Sequence, residues 1–198
     1  MGSFPILIPS AEEFFRILDL AEKRQFEAEV FLAEEGYYEN SVEKHKIGLL
    51  GEWGAWKWLY GEEGLRGVYW EADSGVEDWP DLRISVDYEQ RVGVEVKTWR
   101  LENWQKWGRS LPVEQYPLLC RRSTLVIWCA VLRLRAENRH AVQIMGWNWL
   151  AEMPQKANIT SMHGQSSCLI YQLHEKAIRS PKELVQILKK ERARLLGR

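Results

Sequence analysis

Asp81, Glu95 and Lys97 have the residue types and the spacing to do chemistry together. They lie in Trp79-Pro80-Asp81-Leu82-Arg83-Ile84-Ser85-Val86 and Val92-Gly93-Val94-Glu95-Val96-Lys97, two runs that alternate apolar and polar residues as half-buried strands do. Asp87-Tyr88-Glu89-Gln90-Arg91 between them reads as a hairpin loop. Because strand side chains alternate faces, Leu82, Ile84 and Val86 share one face with Val92, Val94 and Val96. Asp81, Glu95 and Lys97 then fall on the other, and closure near residue 89 sets Asp81 opposite Lys97, one cross-strand step from Glu95. Two carboxylates and an ammonium converge at one end of a hairpin whose other face is hydrophobic. That combination describes a divalent-cation site with a general base or charge stabiliser beside it. Glu-x-Lys pairs on exposed strands commonly do no more than stay solvated. The joint pattern says more, because Pro80 opens the first strand where its missing N–H is harmless and the acid follows at once.

Pro80-Asp81 followed by Glu95-Val96-Lys97, fourteen residues from acid to acid, resembles the signature of the PD-(D/E)XK nuclease superfamily. Gly48-Leu49-Leu50-Gly51-Glu52-Trp53-Gly54-Ala55-Trp56-Lys57-Trp58-Leu59 resembles the helix that precedes the core sheet in that superfamily and brings a further acid, here Glu52. The resemblance spans residues 44–150. It implies an α/β, restriction-endonuclease-like core, a central mixed β-sheet of about five strands flanked by helices, with an N-terminal helical extension. It also implies metal-dependent hydrolysis of DNA phosphodiester bonds, of endonuclease type. Asp81 and Glu95 would be the metal ligands with the Val96 carbonyl as a third, and Glu52 would complete the shell or hold a second ion. All are hard oxygen donors, which favours Mg²⁺ or Mn²⁺. Lys97 would orient the attacking water and stabilise developing charge, or act as a base if burial lowers its pKa. A non-catalytic nucleic-acid-binding or interaction domain on the same scaffold is the competing reading. A structural subunit that dimerises through its N-terminal helix is a third.

The chain of 198 residues is long enough for a single domain with a sizeable core, and 45% hydrophobic with 28% charged residues is ordinary for a soluble globular protein. One nuclease-like domain over 1–198 is expected, with an extension at 1–40, a core at 41–150, and a strand and helix at 151–198. No apolar run approaches the roughly 20 residues that span a bilayer, and no secretion signal opens the chain, so a cytoplasmic protein without membrane contact is expected. Cys120, Cys129 and Cys168 are an odd, unevenly spaced set, which suits a reducing compartment and gives no zinc or iron–sulfur pattern. The four histidines are too dispersed for a zinc cluster, and no phosphate-binding Gly-rich loop or Ser or Cys nucleophile motif is present.

A net charge of −1 gives no bulk support for DNA binding, so any phosphate-positioning rim must be local. Arg100, Lys106, Arg109, Arg121, Arg122, Arg133, Arg135 and Arg139 are its candidates. Eleven tryptophans are far above ordinary usage. Core packing accounts for most of them, and Trp99 and Trp104, nearest the motif strand in a polar segment, are the candidates for stacking on bases.

The elements that must position these residues follow from periodicity. Ser10 with Glu13 forms a capping box for a helix over 11–34. A second helix runs from Asn40 or Ser41 to Tyr60, with small residues on its apolar stripe for close approach to a sheet. Strands are expected at 67–71, at 123–132 (buried on both faces), at 140–147 and at 168–173. A short helix over 111–119 and a C-terminal helix opened by Ser180-Pro181 complete the reading.

Overall fold

The computed structural model describes residues 4–32, 42–63, 65, 67–72, 79–85, 91–134, 139–162 and 169–195. The capping box forms as expected. Ser10 N–H donates to Glu13 at 2.8 Å and Glu13 N–H to the Ser10 hydroxyl at 3.2 Å, starting α1 (Ala11–Leu32). α1 buries Ile17, Leu20 and Ala21 and leaves Phe15 and Phe26 to solvent. After α2 (Val42–Gly61), the chain makes an antiparallel meander of β2 (Val68–Trp70), β3 (Leu82–Ser85) and β4 (Arg91–Arg100). It crosses through α3 (Leu101–Trp107), β5 (Ser110–Pro112) and α4 (Tyr116–Arg122) to β6 (Leu125–Leu134), which lies parallel to β4. β7 (Arg139–Trp149) returns antiparallel to β6.

The central sheet is mixed and has six strands rather than five, in the order β1-β7-β6-β4-β3-β2. The additional strand, β1 (Ile6–Leu7), pairs with the free edge of β7; two residues are too short to show an alternation. A second sheet of three strands, β5-β9-β8, joins Ser110–Pro112 to β8 (Ala157–Ser161) and β9 (Leu169–Leu173). This corrects the helix expected over 111–119. Leu111 lies in a strand, and the helix begins only at Tyr116, where Pro117 fits the first turn because its missing N–H needs no partner there.

Strand alternation divides the core in two. Leu82, Ile84, Val94, Val96, Leu125, Ile127 and Cys129 face α1, α2 and the C-terminal helix Pro181–Leu195. Val126, Trp128 and Ala130 face Trp104, Leu111, Leu119, Met153 and Leu173 on the opposite side. β6 is therefore buried on both faces, and burial pushes the Cys129 thiol pKa up. α2 lies close against the sheet because it carries glycine where the strands approach. A Cβ on Gly51 would meet the Thr98 side chain, and one on Gly54 would meet Val142. No helix among the described residues is long and apolar enough to cross a membrane.

Candidate active site

The site forms where β3 and β4 part. Their ladder runs from Ser85↔Arg91 to Leu82↔Val94. The next step would bring Asp81 across from Glu95, two residues short of the Lys97 pairing expected from the spacing. Backbone pairing is replaced there by a side chain: Val96 N–H donates to Asp81 Oδ2 at 2.7 Å. Pro80 has no N–H to continue the ladder, and the Asp81 carbonyl turns the other way to accept from Glu71 N–H at 3.1 Å. The Asp81 carboxylate is thus wedged into the fork, attached to the strand that carries Glu95 and Lys97.

The parity read from the sequence holds. Val94 and Val96 point into the α2-side core, and Glu95 points to the opposite face. Glu95 is 1% exposed, and both its oxygens meet cations: Lys97 Nζ at 2.7 Å from Oε1 and Arg122 Nη2 at 2.9 Å from Oε2. Arg122 ends α4 and belongs to the loosely drawn basic rim rather than to the expected site. Its backbone carbonyl lies where a Cβ on Gly93 would stand, 2.1 Å from that position, and Thr124 N–H donates to the Gly93 carbonyl at 2.8 Å. A glycine in β4 thereby brings the end of α4 within reach of Glu95. Gly93 in an otherwise alternating valine run is the signal that points to this neighbour, since such a glycine often marks close backbone approach.

Electrostatics separate the two ionisable groups at the fork. Burial, then the charges of Glu95 and Glu52, hold the Asp81 carboxyl well above the usual aspartate range, against the opposing pull of Lys97 and the Val96 N–H. For Lys97, burial works to lower the pKa, but Glu95 and Asp81 outweigh it and raise the ammonium above its ordinary value.

Glu52 is buried on α2, near enough for its charge to bear on Asp81. Its carboxylate takes two hydrogen bonds from Arg24 of α1, at 2.8 and 3.1 Å, and one from Trp70 Nε1 at 3.0 Å. Arg24 and Trp70 are neighbours that sequence spacing does not reveal, because they arrive from different elements. Among the described residues, no three His, Cys, Asp or Glu side chains are gathered closely enough to cage a metal ion.

The wider rim and the aromatic candidates resolve residue by residue. Arg100 pairs with Glu43 at 2.7 Å, and Arg139 donates to the Pro9 carbonyl. Arg109, in the left-handed backbone region at φ 79°, is buried and donates to the Leu173 and Gln105 carbonyls, so it braces the second sheet instead of lining a rim. Arg135 lies outside the described residues. Trp104 is 2% exposed and belongs to the core, which removes it as a stacking platform; Trp99 is partly buried against the same cluster. The exposed indole beside the fork is Trp79, two residues before Asp81, with the Arg83 guanidinium 4.0 Å above its ring.

The donor chemistry fits a small hard divalent cation. Mg²⁺ is commonly held by one or two carboxylates with waters completing its shell. Asp81 and Glu95 could supply two across the fork, where burial first and then carboxylate repulsion disfavour the ionised Asp81. No family model matches the chain, and neither a curated protein nor a solved structure matches it.

Proposed function

We propose that the chain is a metal-dependent nuclease hydrolysing DNA phosphodiester bonds, of endonuclease type, on a restriction-endonuclease-like core. The observation that carries this reading is the Asp81 carboxylate inserted into the β3–β4 fork, crowded by Glu95 and beside a protonated Lys97. The element order supports it: a helix, an antiparallel three-stranded meander, a helical crossover and a strand parallel to the last of the meander are what the motif's scaffold requires. Asp81 and Glu95, with the Val96 carbonyl, would hold Mg²⁺ or Mn²⁺, and Glu52 would act from the flank while tied to Arg24. Bound there, the cation would activate water and neutralise charge on the phosphate. Lys97, cationic and fixed by Glu95, stabilises negative charge growing on the phosphoryl oxygens. Glu95 keeps Lys97 charged and aimed, and Asp81, tethered to Val96 N–H, cannot swing away from the fork.

A second reading rests on a specific observation. Both oxygens of Glu95 are already neutralised by protein cations, as in a non-catalytic DNA-binding domain that retains the scaffold. Incubating supercoiled plasmid and short single-stranded, duplex and branched DNA with Mg²⁺, Mn²⁺ or EDTA separates the two. The nuclease cuts with metal and stops cutting as Asp81→Ala or Glu95→Ala. A folded wild-type protein that binds DNA and cuts none of these substrates supports the binding domain instead.

A further inference from the structure

The Glu95–Arg122 ion pair raises a question that the nuclease reading leaves open, and this inference rests on that reading. A divalent cation approaching Glu95 meets a protein cation already on each of its oxygens, and the like charges compete. Lys97 is the poorer one to leave. It stands two residues away on the same face of the same strand, with its Nζ 2.7 Å from Glu95 Oε1. Arg122 comes from another element and meets Glu95 Oε2 through a single terminal nitrogen, although a guanidinium can grip a carboxylate with two. Its backbone is packed against Gly93, which keeps the end of α4 beside the fork.

We propose that Arg122 is the counter-ion Glu95 exchanges for the divalent cation, and that the released guanidinium then binds the phosphate of the DNA strand being cut. Arg122 keeps a buried carboxylate compensated before metal arrives, as a buried charge requires. Afterwards it supplies the planar, permanently charged group suited to phosphate. The exchange makes metal and DNA binding mutually reinforcing: metal frees the arginine, and the arginine holds the substrate.

Mn²⁺ binding to wild type, Asp81→Ala, Arg122→Gln and Arg122→Lys, followed by calorimetry without DNA, tests the exchange. Arg122→Gln should bind Mn²⁺ at least about fivefold more tightly than wild type, because the competing charge is gone. It should nonetheless cut DNA at least about tenfold less efficiently, with the loss in KM as well as kcat. Arg122→Lys should return Mn²⁺ affinity towards wild type and recover part of the cutting. A folded Arg122→Gln protein with wild-type Mn²⁺ affinity, or with wild-type cutting, overturns the proposal. If that variant does not fold, the guanidinium Nε–H resonance of Arg122 in the wild-type protein, assigned by its loss in Arg122→Lys, takes over. It should shift on Mg²⁺ addition, and an unmoved resonance in a metal-saturated protein is equally fatal. Mn²⁺ binding that depends on Asp81 but ignores Arg122 removes this inference alone. Wild-type protein without Asp81-dependent Mn²⁺ binding removes the nuclease reading too.

Discussion

Asp81 Oδ2 accepts the Val96 backbone N–H at 2.7 Å, one residue beyond the last paired residue of β3 and two beyond that of β4. A side chain occupies the place of a ladder partner, so a charged group is fixed to the backbone of the strand that carries Glu95 and Lys97. The arrangement opposes stability in the absence of metal, since burial and two neighbouring carboxylates disfavour the ionised form.

Asp81→Asn should therefore stabilise the metal-free protein at neutral pH. The folded pKa is raised, so the Asp81 contribution is fully present below its unfolded value near 3.8 and is lost as pH rises through the raised one. In EDTA the wild-type Tm should fall across that window relative to Asp81→Asn. Mg²⁺ should recover the deficit in wild type and leave the variant unmoved. Parallel Tm profiles with pH would show that the fork carries no such repulsion.

Glu52 has a structural partnership that can be separated from any role with metal. Glu52→Gln and Arg24→Met should each lower stability by about 1–3 kcal/mol in urea unfolding, because each breaks the part-buried, two-hydrogen-bond Arg24–Glu52 ion pair. Under the nuclease reading, Glu52→Gln should also raise the Mg²⁺ concentration needed for half-maximal cutting, and Arg24→Met should not. Equal Mg²⁺ requirements in both variants would return Glu52 to a purely structural position.

Much of this is legible in the sequence because period-two alternation is robust. Leu82, Ile84, Val94 and Val96 fall on one face, and Glu95 on the other, in any pairing that shifts by an even number of residues. The register itself differs from the expected one by two residues, since loop length alone does not fix where a hairpin closes. Arg24 and Trp70 reach the site through tertiary packing, which leaves no trace in local spacing, and the only trace of Arg122 is Gly93, a glycine that marks close backbone approach. Trp104 misleads for a related reason: its polar neighbours Glu102, Gln105 and Lys106 suggest a surface, while a helical face turns it inward beneath β6. The two-residue β1 and the short β5 are invisible in the sequence because pairing with a neighbouring strand, rather than propensity, makes them extended.

Close helix–sheet approach predicts an asymmetric response to small substitutions. A Cβ on Gly51 would stand 1.8 Å from Thr98 Oγ1, so Gly51→Ala should lose about 1–3 kcal/mol of stability by overpacking. Thr98→Ala should restore part of that loss in the double variant, removing the nearest clashing atom while the Thr98 Cβ still stands 2.8 Å away. A double-mutant cycle in urea reads the coupling directly, and strict additivity would mean that α2 shifts outward instead of meeting Thr98.

The capping box at the start of α1 gives an acid-side counterpart to the fork. Burial works to raise the Glu13 carboxyl, but Lys57, whose Nζ lies 2.8 Å away on α2, and the Ser10 backbone and hydroxyl outweigh it and lower the pKa to about 2. With the folded value depressed below 4.5, the Glu13 contribution is present above pH 4.5 and is lost as pH falls towards 2. Glu13→Gln should consequently destabilise the protein by about 1 kcal/mol at pH 7, the usual scale for a helix cap, and by much less near pH 2. Ser10→Ala should show the same convergence, because it removes the cap that the ionised carboxylate completes. Tm measured for both variants from pH 7 down to 2 checks the sign: a deficit that stays constant with pH would mean that Glu13 acts through packing, without its charge.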